Sequence, residues 1–348
     1  MSKDNTEIKV DNKKDKKVKS EIKAPLKKTS IGGQALIEGI MMVGPERTSM
    51  AVRKGDGTIY IEEIKQSDRV TFFEKVPFIR GCIRFYKMLV KGTDALMKSA
   101  DISEEGLPEK ELKEGEEPPK KSALDEFAEK HYNFMLITSV VLGIAISVGL
   151  FLLLPWLITY LVNKLVAGFI EVPTWMPIVL NIAEGVLRIF IFFIYLRLAS
   201  KVEGIGRVWR YHGAEHKTIA CYEAGEPLTV ENIKKHSRFH PRCGTAFMFI
   251  VMAISILVYT VAGIIIGSDS GLTNFLIRII FIPIICGISF EILKFVGKND
   301  DKPFFHSLSK PGLWLQKFTT AEPDDSMIEV AIAAMQAVIP ENSEDDIW

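Results

Sequence analysis

The sequence predicts an α-helical integral membrane protein with about four transmembrane helices and a small N-terminal α+β region on the cytoplasmic side. Three observations carry that expectation. The 348 residues are 48% hydrophobic yet 25% charged, with mean hydropathy +0.17, an average produced when very apolar and very polar segments alternate. Phe134 to Asn163 runs for 30 residues without a charged side chain, and a bilayer needs only about 20 apolar residues. The connections between the apolar runs then alternate between poor and rich in Lys and Arg, as the positive-inside rule requires. The same totals exclude other classes. Lys+Arg and Asp+Glu are both 43, so the basic balance of a nucleic-acid binder is absent and no nucleic acid is expected as partner. Four cysteines rule out a disulfide-stapled mini-fold.

In chain order, Met1 to Ser30 holds ten Lys against five acids. It reads as a disordered basic tail, not a signal peptide, because no apolar run follows the charges. The next region, 31–100, opens with the glycine-rich run Gly32 to Pro45, whose glycines suit tight turns or close backbone packing. It matches neither a P-loop nor a dinucleotide fingerprint. Thr48 to Arg53 and Thr58 to Ile64 read as strands around the hairpin signal Gly55-Asp56-Gly57. Pro77 to Ala100 reads as a helix with Arg80, Arg84, Lys87, Lys91 and Lys98 on one side and Cys82, Phe85, Tyr86, Leu89, Leu96 and Met97 on the other. Such a helix suits either the membrane surface or the flank of the β region. Residues 101–122 carry eight acids, four Lys and three Pro, a linker composition.

The membrane domain spans 123–297. Its helices are expected at Phe134 to Asn163, with a kink at Pro155, then Met176 to Ser200, Thr245 to Gly267 and Asn274 to Val296. The short connections Lys164 to Trp175 and Ser268 to Thr273 hold one Lys, whereas the 201–244 loop holds eight Lys or Arg. Both termini and that loop therefore belong on the cytoplasmic face of a multi-pass plasma-membrane protein. Within the spans, Glu184 and Arg188 share a helix face at i, i+4. Intramembrane charges of this kind are either functional or a structural ion pair. Arg278 and Glu291 lie nearer the ends of the fourth span, where snorkelling is expected. Residues 298–348 are expected to form a cytoplasmic helix, started by Asp324-Asp325-Ser326, and an acidic tail.

Chemistry concentrates in the 201–244 loop, which holds two of the four cysteines and packs four of the six histidines into 29 residues. His212 and His216 at i, i+4 point the same way on a helix and can share one ion. Glu215 completes H-x-x-E-H, the inverted zinc-protease pattern, in which the Glu acts as base. His240 and Cys243 have the H-x-x-C spacing of compact metal sites. Thr245 caps the third span, and a helix N-terminus favours the thiolate form of Cys243. Cys221, Glu223, Glu184 and Arg188 are further candidates. His236 sits in a polar run and, with His131 and His306, reads as a surface residue.

Gly32 to Pro45, Tyr211 to Glu223 and His240 to Phe247 together resemble the YqhQ-like family of bacterial membrane proteins. That family's glycine segment reads G-G-Q-A-V-I-E-G-V-M-M-R-G-P, and here Leu36, Ile40 and Val43 depart from it, Val43 at its one basic position. Its loop motifs H-G-A-E-H and H-P-R-C-G-T map onto His212, Glu215, His216, His240 and Cys243. The resemblance covers roughly 31–339. It implies the architecture and a metal-dependent enzyme, and it names no substrate.

Two functions follow as expectations. One is a cytoplasm-facing metal site, zinc by its donors, held by His212, His216, His240 and Cys243, with Glu215 as base of a metal-dependent hydrolase. Four protein ligands would instead close a zinc site and make it structural. The other is a non-enzymatic membrane scaffold or assembly protein, with a structural metal and with other membrane proteins or a second copy as partners beside the lipid bilayer. A transporter is the weaker third choice, since only Glu184 and Arg188 offer a polar path.

Overall fold

The computed structural model describes residues 28–64, 72–106, 131–169, 171, 173, 175–266, 271–341 and 346. The basic tail, apart from its last three residues, and most of the acidic linker lie outside this set. Four strands, β1 (Gly32–Leu36), β2 (Gly39–Val43), β3 (Thr48–Arg53) and β4 (Ile59–Ile64), form an antiparallel meander in sequence order. The β3–β4 turn is the one expected. Gly57 supplies φ 86°, and the Asp56 carboxylate accepts from the Thr58 amide at 2.8 Å.

Period-two alternation explains how the sheet is used. Ile40, Met42 and Ala51 face one way; Leu36, Met41, Met50 and Val52 face the other, and all are buried. Helix α1 (Ile79–Glu104) covers the second face through Ala95 and Ile102. It runs past Ala100 into what the sequence suggested was linker. The first face is covered by helices from far along the chain, α5 (Glu203–Glu223) and α11 (Asp325–Gln336), which contribute Tyr211, Ala214, Ile219, Met327, Ile328 and Ala331. Asp324 caps α11, accepting from the Met327 amide at 3.0 Å.

Among the described residues, four helical stretches are long and apolar enough to cross a membrane: Ile137–Ala167, Met176–Ala199, Gly244–Ile266 and Leu272–Lys298. The first joins α2 (Tyr132–Val148) to α3 (Leu154–Ala167) through a π-helical segment, Gly149–Leu153. Pro155 follows that segment; it lacks the N–H that would reach the carbonyl four residues back, at Phe151. That carbonyl is satisfied from another helix: Arg188 Nε donates to it at 2.8 Å. The remaining spans are α4 (Met176–Ala199), α7 (Gly244–Ile266), and α8 (Gly271–Ile280) with α9 (Ile282–Lys298).

Glu184 and Arg188 pair on α4 at 2.8 Å, as their spacing anticipated, and Arg278 of α8 joins them. Arg278 does not snorkel: it is buried and donates to both Glu184 oxygens, from Nε at 2.8 Å and also from Nη2. Arg188 reaches Ser255 of α7 at 3.2 Å, so one carboxylate ties three spans together. The reason is dielectric. A guanidinium in an apolar bundle is stable only beside a carboxylate and enough acceptors. Glu291 likewise holds a partner, taking a two-pronged contact from Arg80 of α1 at 2.7 and 2.5 Å.

After α9 the chain forms α10 (Pro303–Thr319), a helix the sequence reading did not separate from the C-terminal segment. It packs along α7 closely enough that a Cβ on Gly312 would meet that of Ala246 at 2.7 Å. Breaking a buried charge pair costs about 3–5 kcal/mol. Glu184→Ala is therefore expected to lower the thermal unfolding midpoint of the solubilised protein well beyond the effect of Glu291→Ala, whose ion pair is a fifth exposed. Equal effects in the two variants would contradict this account.

Candidate metal centre

Helix α5 leaves the end of α4 and runs along the sheet, and its His/Glu motif lies on the side facing three other chain segments. His212 and His216 sit one turn apart with ring centroids at 4.4 Å. Cys243 comes from the residue just before α7. One ligand atom from each of these three lies within 4.8 Å of the others, and all three side chains are almost completely buried.

Each imidazole is oriented by a backbone carbonyl. His212 Nδ1 donates to the Thr319 carbonyl at 2.8 Å, and His216 Nδ1 to that of Arg238 at 2.6 Å. A carbonyl only accepts, so Nδ1 carries a proton in each ring and Nε2 is the nitrogen turned to another partner. His212 Nε2 faces the Cys243 sulfur at 3.2 Å. Thr245 supports that sulfur from the start of α7, with its amide at 3.4 Å and its hydroxyl at 3.3 Å. Burial pushes the Cys243 thiol up, but His216 and His212 beside it prevail and hold it well below its ordinary value. Conversely, burial lowers His212 while the Cys243 thiolate raises it, to about 9. A buried thiolate between two imidazoles is a donor set that divalent zinc fits.

Glu215 is buried behind this group. Burial pushes its carboxyl above the usual carboxylate range, against the pull of His212 and His216. The amide of Gly33 on β1 binds the carboxylate, and a Cβ on Gly33 would come within 3.0 Å of it. The glycine-rich segment thus reaches the centre directly. Glu215 Oε2 is buried and, among the described residues, has no hydrogen-bond partner.

His240 stands beside the cluster, its ring centroid 5.7 Å from that of His216, with its Nε2 turned elsewhere. It lies 3.5 Å from Glu223 Oε2 and 3.3 Å from Arg242 Nη2. Glu223 also binds Arg242 and accepts the Thr29 amide at 2.8 Å. Burial, with Arg242 and His216 nearby, lowers the His240 pKa despite Glu223. Cys221 belongs to a different group, with Glu226 and His236, and its buried thiol is pushed up to about 11. His236 Nε2 lies 3.2 Å from Glu226, His306 is an exposed neighbour of Asp300, and His131 is exposed. Glu184 and Arg188 remain in the transmembrane ion cluster.

The sequence reading missed the supporting groups. Two of these, the carbonyls of Thr319 and Arg238, carry no side-chain signal. A third was visible: Gln316 is the lone amide in the run Leu313 to Phe318. It is buried and grips the His240 backbone twice, accepting at 2.8 Å and donating at 2.7 Å.

A family model described as a protein of unknown function, DUF1385, matches residues 76–341. The chain belongs to the DUF1385 family. An uncharacterized protein YqhQ from Bacillus subtilis (strain 168) is 32% identical over 315 residues, covering 88% of this chain and 92% of the relative. No solved structure matches the chain. The family expectation from the motifs thus holds for membership, and neither match names a reaction.

The glycine in H-G-A-E-H is explained by packing. A Cβ on Gly213 would lie 2.0 Å from the Ala321 carbonyl, two residues past Thr319. In an open helix Gly→Ala gains about 1 kcal/mol; forcing a group into this contact costs about 1–3 kcal/mol. Gly213→Ala is expected to lower the unfolding temperature of the DUF1385 chain; a rise would show that the close approach is not constraining.

Proposed function

We propose that this DUF1385 protein carries a divalent metal, zinc by its donor set, on the Nε2 atoms of His212 and His216 and the Cys243 thiolate, and that it is a metal-dependent hydrolase. The observation that carries the reading is three converging donors beside a buried carboxylate oxygen that lacks a partner among the described residues. Three protein ligands leave one tetrahedral position open, the arrangement of catalytic sites. A metal bound there supplies Lewis acidity and acidifies a coordinated water. The chain's own groups do the rest. Glu215, its carboxyl pushed up by burial, is placed to hold or release a proton at Oε2. Gly33 fixes the carboxylate, and the two carbonyls keep the imidazoles in one tautomer. His240, with Glu223 and Arg242, lines the flank of the centre.

A scaffold with a structural metal is the second reading. It is favoured by the near-complete burial of the donors and by the way the centre joins α5, α7 and the end of α10. In both readings the centre faces the cytoplasm of a plasma-membrane protein. This orientation rests on the surplus of Lys and Arg in 201–244.

Elemental analysis after gentle extraction is expected to find about one metal equivalent per chain. His212→Ala and Cys243→Ala should lose it and Glu215→Gln should keep it. Wild-type protein without metal would overturn the proposal. Cobalt-substituted protein separates the two readings. Visible bands that shift on adding acetohydroxamate show an open position and support the hydrolase; unresponsive bands support the scaffold. For orientation, a fluorescent protein fused to the C-terminus should fluoresce, and alkaline phosphatase fused within 168–175 should be active; the reverse pattern would invert the assignment.

A further inference from the structure

The far half of helix α1 covers the sheet through Ala95 and Ile102. Its near half has different neighbours. Cys82 Sγ donates to the Pro283 carbonyl at 3.0 Å. Gly287 approaches Phe78 so closely that a Cβ there would lie 2.8 Å from the Phe78 carbonyl, and Gly81 packs on Phe290 in the same way. Phe78 adopts φ 67° to make that turn. All these α9 residues belong to the apolar stretch Leu272–Lys298.

Distance along α9 converts those contacts into depth. Lys294 is the first cation met from Glu291 towards the end of α9 at Lys298. Counted from it, Glu291, Gly287 and Pro283 lie about 5, 10 and 16 Å further up the axis. A hydrocarbon core is about 30 Å thick, so Pro283 lies near its middle. A segment packed against Gly287 and Pro283 is therefore at the depth of lipid chains. Phe85 continues the path back, its ring centroid 5.5 Å from that of Phe247 in a tilted pair, and Gly244 faces Met88 at the mouth of α7.

The side chains agree with that placement. Phe72, Phe73, Phe78, Tyr86, Leu89 and Val90 are each at least half exposed. Three of the cations on this stretch have partners, and Lys75 stands exposed at the end of the turn. Arg80 is held by Glu291, Arg84 lies over the Phe290 ring at 5.8 Å, and Lys87 binds Glu74 at 2.7 Å. Neutralised cations and uncovered aromatics are what a lipid environment selects.

We propose that the near half of α1, with the turn Phe72–Lys75, is inserted into the bilayer leaflet on the side of the metal centre, so that its partner is lipid. α1 is then a strut with one end in the membrane and the other under the sheet, passing Gly244 beside Cys243. This does not depend on the metal being catalytic.

The test uses the full chain in vesicles of three parts phosphatidylcholine to one part phosphatidylglycerol. A genetically encoded fluorescent amino acid is placed singly at Tyr86 or Leu89. Controls are Val186 on the outside of α4 and Ile61 on β4, both exposed. Lipids brominated along their acyl chains should quench positions 86 and 89 about as strongly as 186 and at least about threefold more than 61. Quenching at 86 and 89 no greater than at 61 would overturn the proposal. So would protection that disappears as protein is diluted, since that pattern marks a second copy as the cover.

Discussion

The arrangement at the end of the bundle depends on one constraint: a cysteine sulfur is buried between two imidazoles where a helix begins. An isolated thiolate in that setting would be strongly disfavoured. It is sustained because His212 and His216 stand one turn apart on α5 and Thr245 donates from the first turn of α7. The imidazoles in turn need Thr319 and Arg238, so the end of α10 and the loop before Cys243 must reach α5. Gly213 and Gly33 follow from the same requirement, because each removes a side chain where backbone must come close. Segments far apart in the chain, from β1 to the α10–α11 connection, are gathered around one sulfur.

The membrane half obeys a parallel rule with different chemistry. There the difficulty is not a thiolate but two guanidiniums and a carbonyl that Pro155 leaves unmatched. Glu184, Ser255 and the Phe151 carbonyl supply what Arg188 and Arg278 require. Burial makes this cluster a determinant of how the spans pack, since a missing member leaves charge in a low dielectric. The polar contacts within it are already made among its own members.

Much of this was legible in the residues. Uncharged length revealed the spans because a bilayer demands it, and the i, i+4 spacing aligned His212 with His216 because a helix turns every 3.6 residues. The Gly55-Asp56-Gly57 turn and the Asp324 cap were equally local signals. What escaped was non-local. Period-two alternation shows that β2 and β3 have two apolar faces, but nothing in it says that α11, nearly three hundred residues later, covers one of them. Arg278 looked like a snorkelling residue because its partner is on another helix. His240 looked equivalent to His212, yet its Nε2 meets Glu223 and Arg242, a competition that spacing does not encode. Gly213 looked like a weak point in a helix, because the carbonyl it admits belongs to Ala321.

X-ray absorption at the zinc edge of the purified native protein tests the central claim most directly. The account predicts a four-coordinate ion with about one sulfur at 2.3 Å, two imidazole nitrogens near 2.0–2.1 Å and one further light-atom ligand that exchanges with added anion. A shell without sulfur would contradict it. So would a closed shell of protein donors that ignores added anion, since the open position is what separates a reacting centre from a structural clasp.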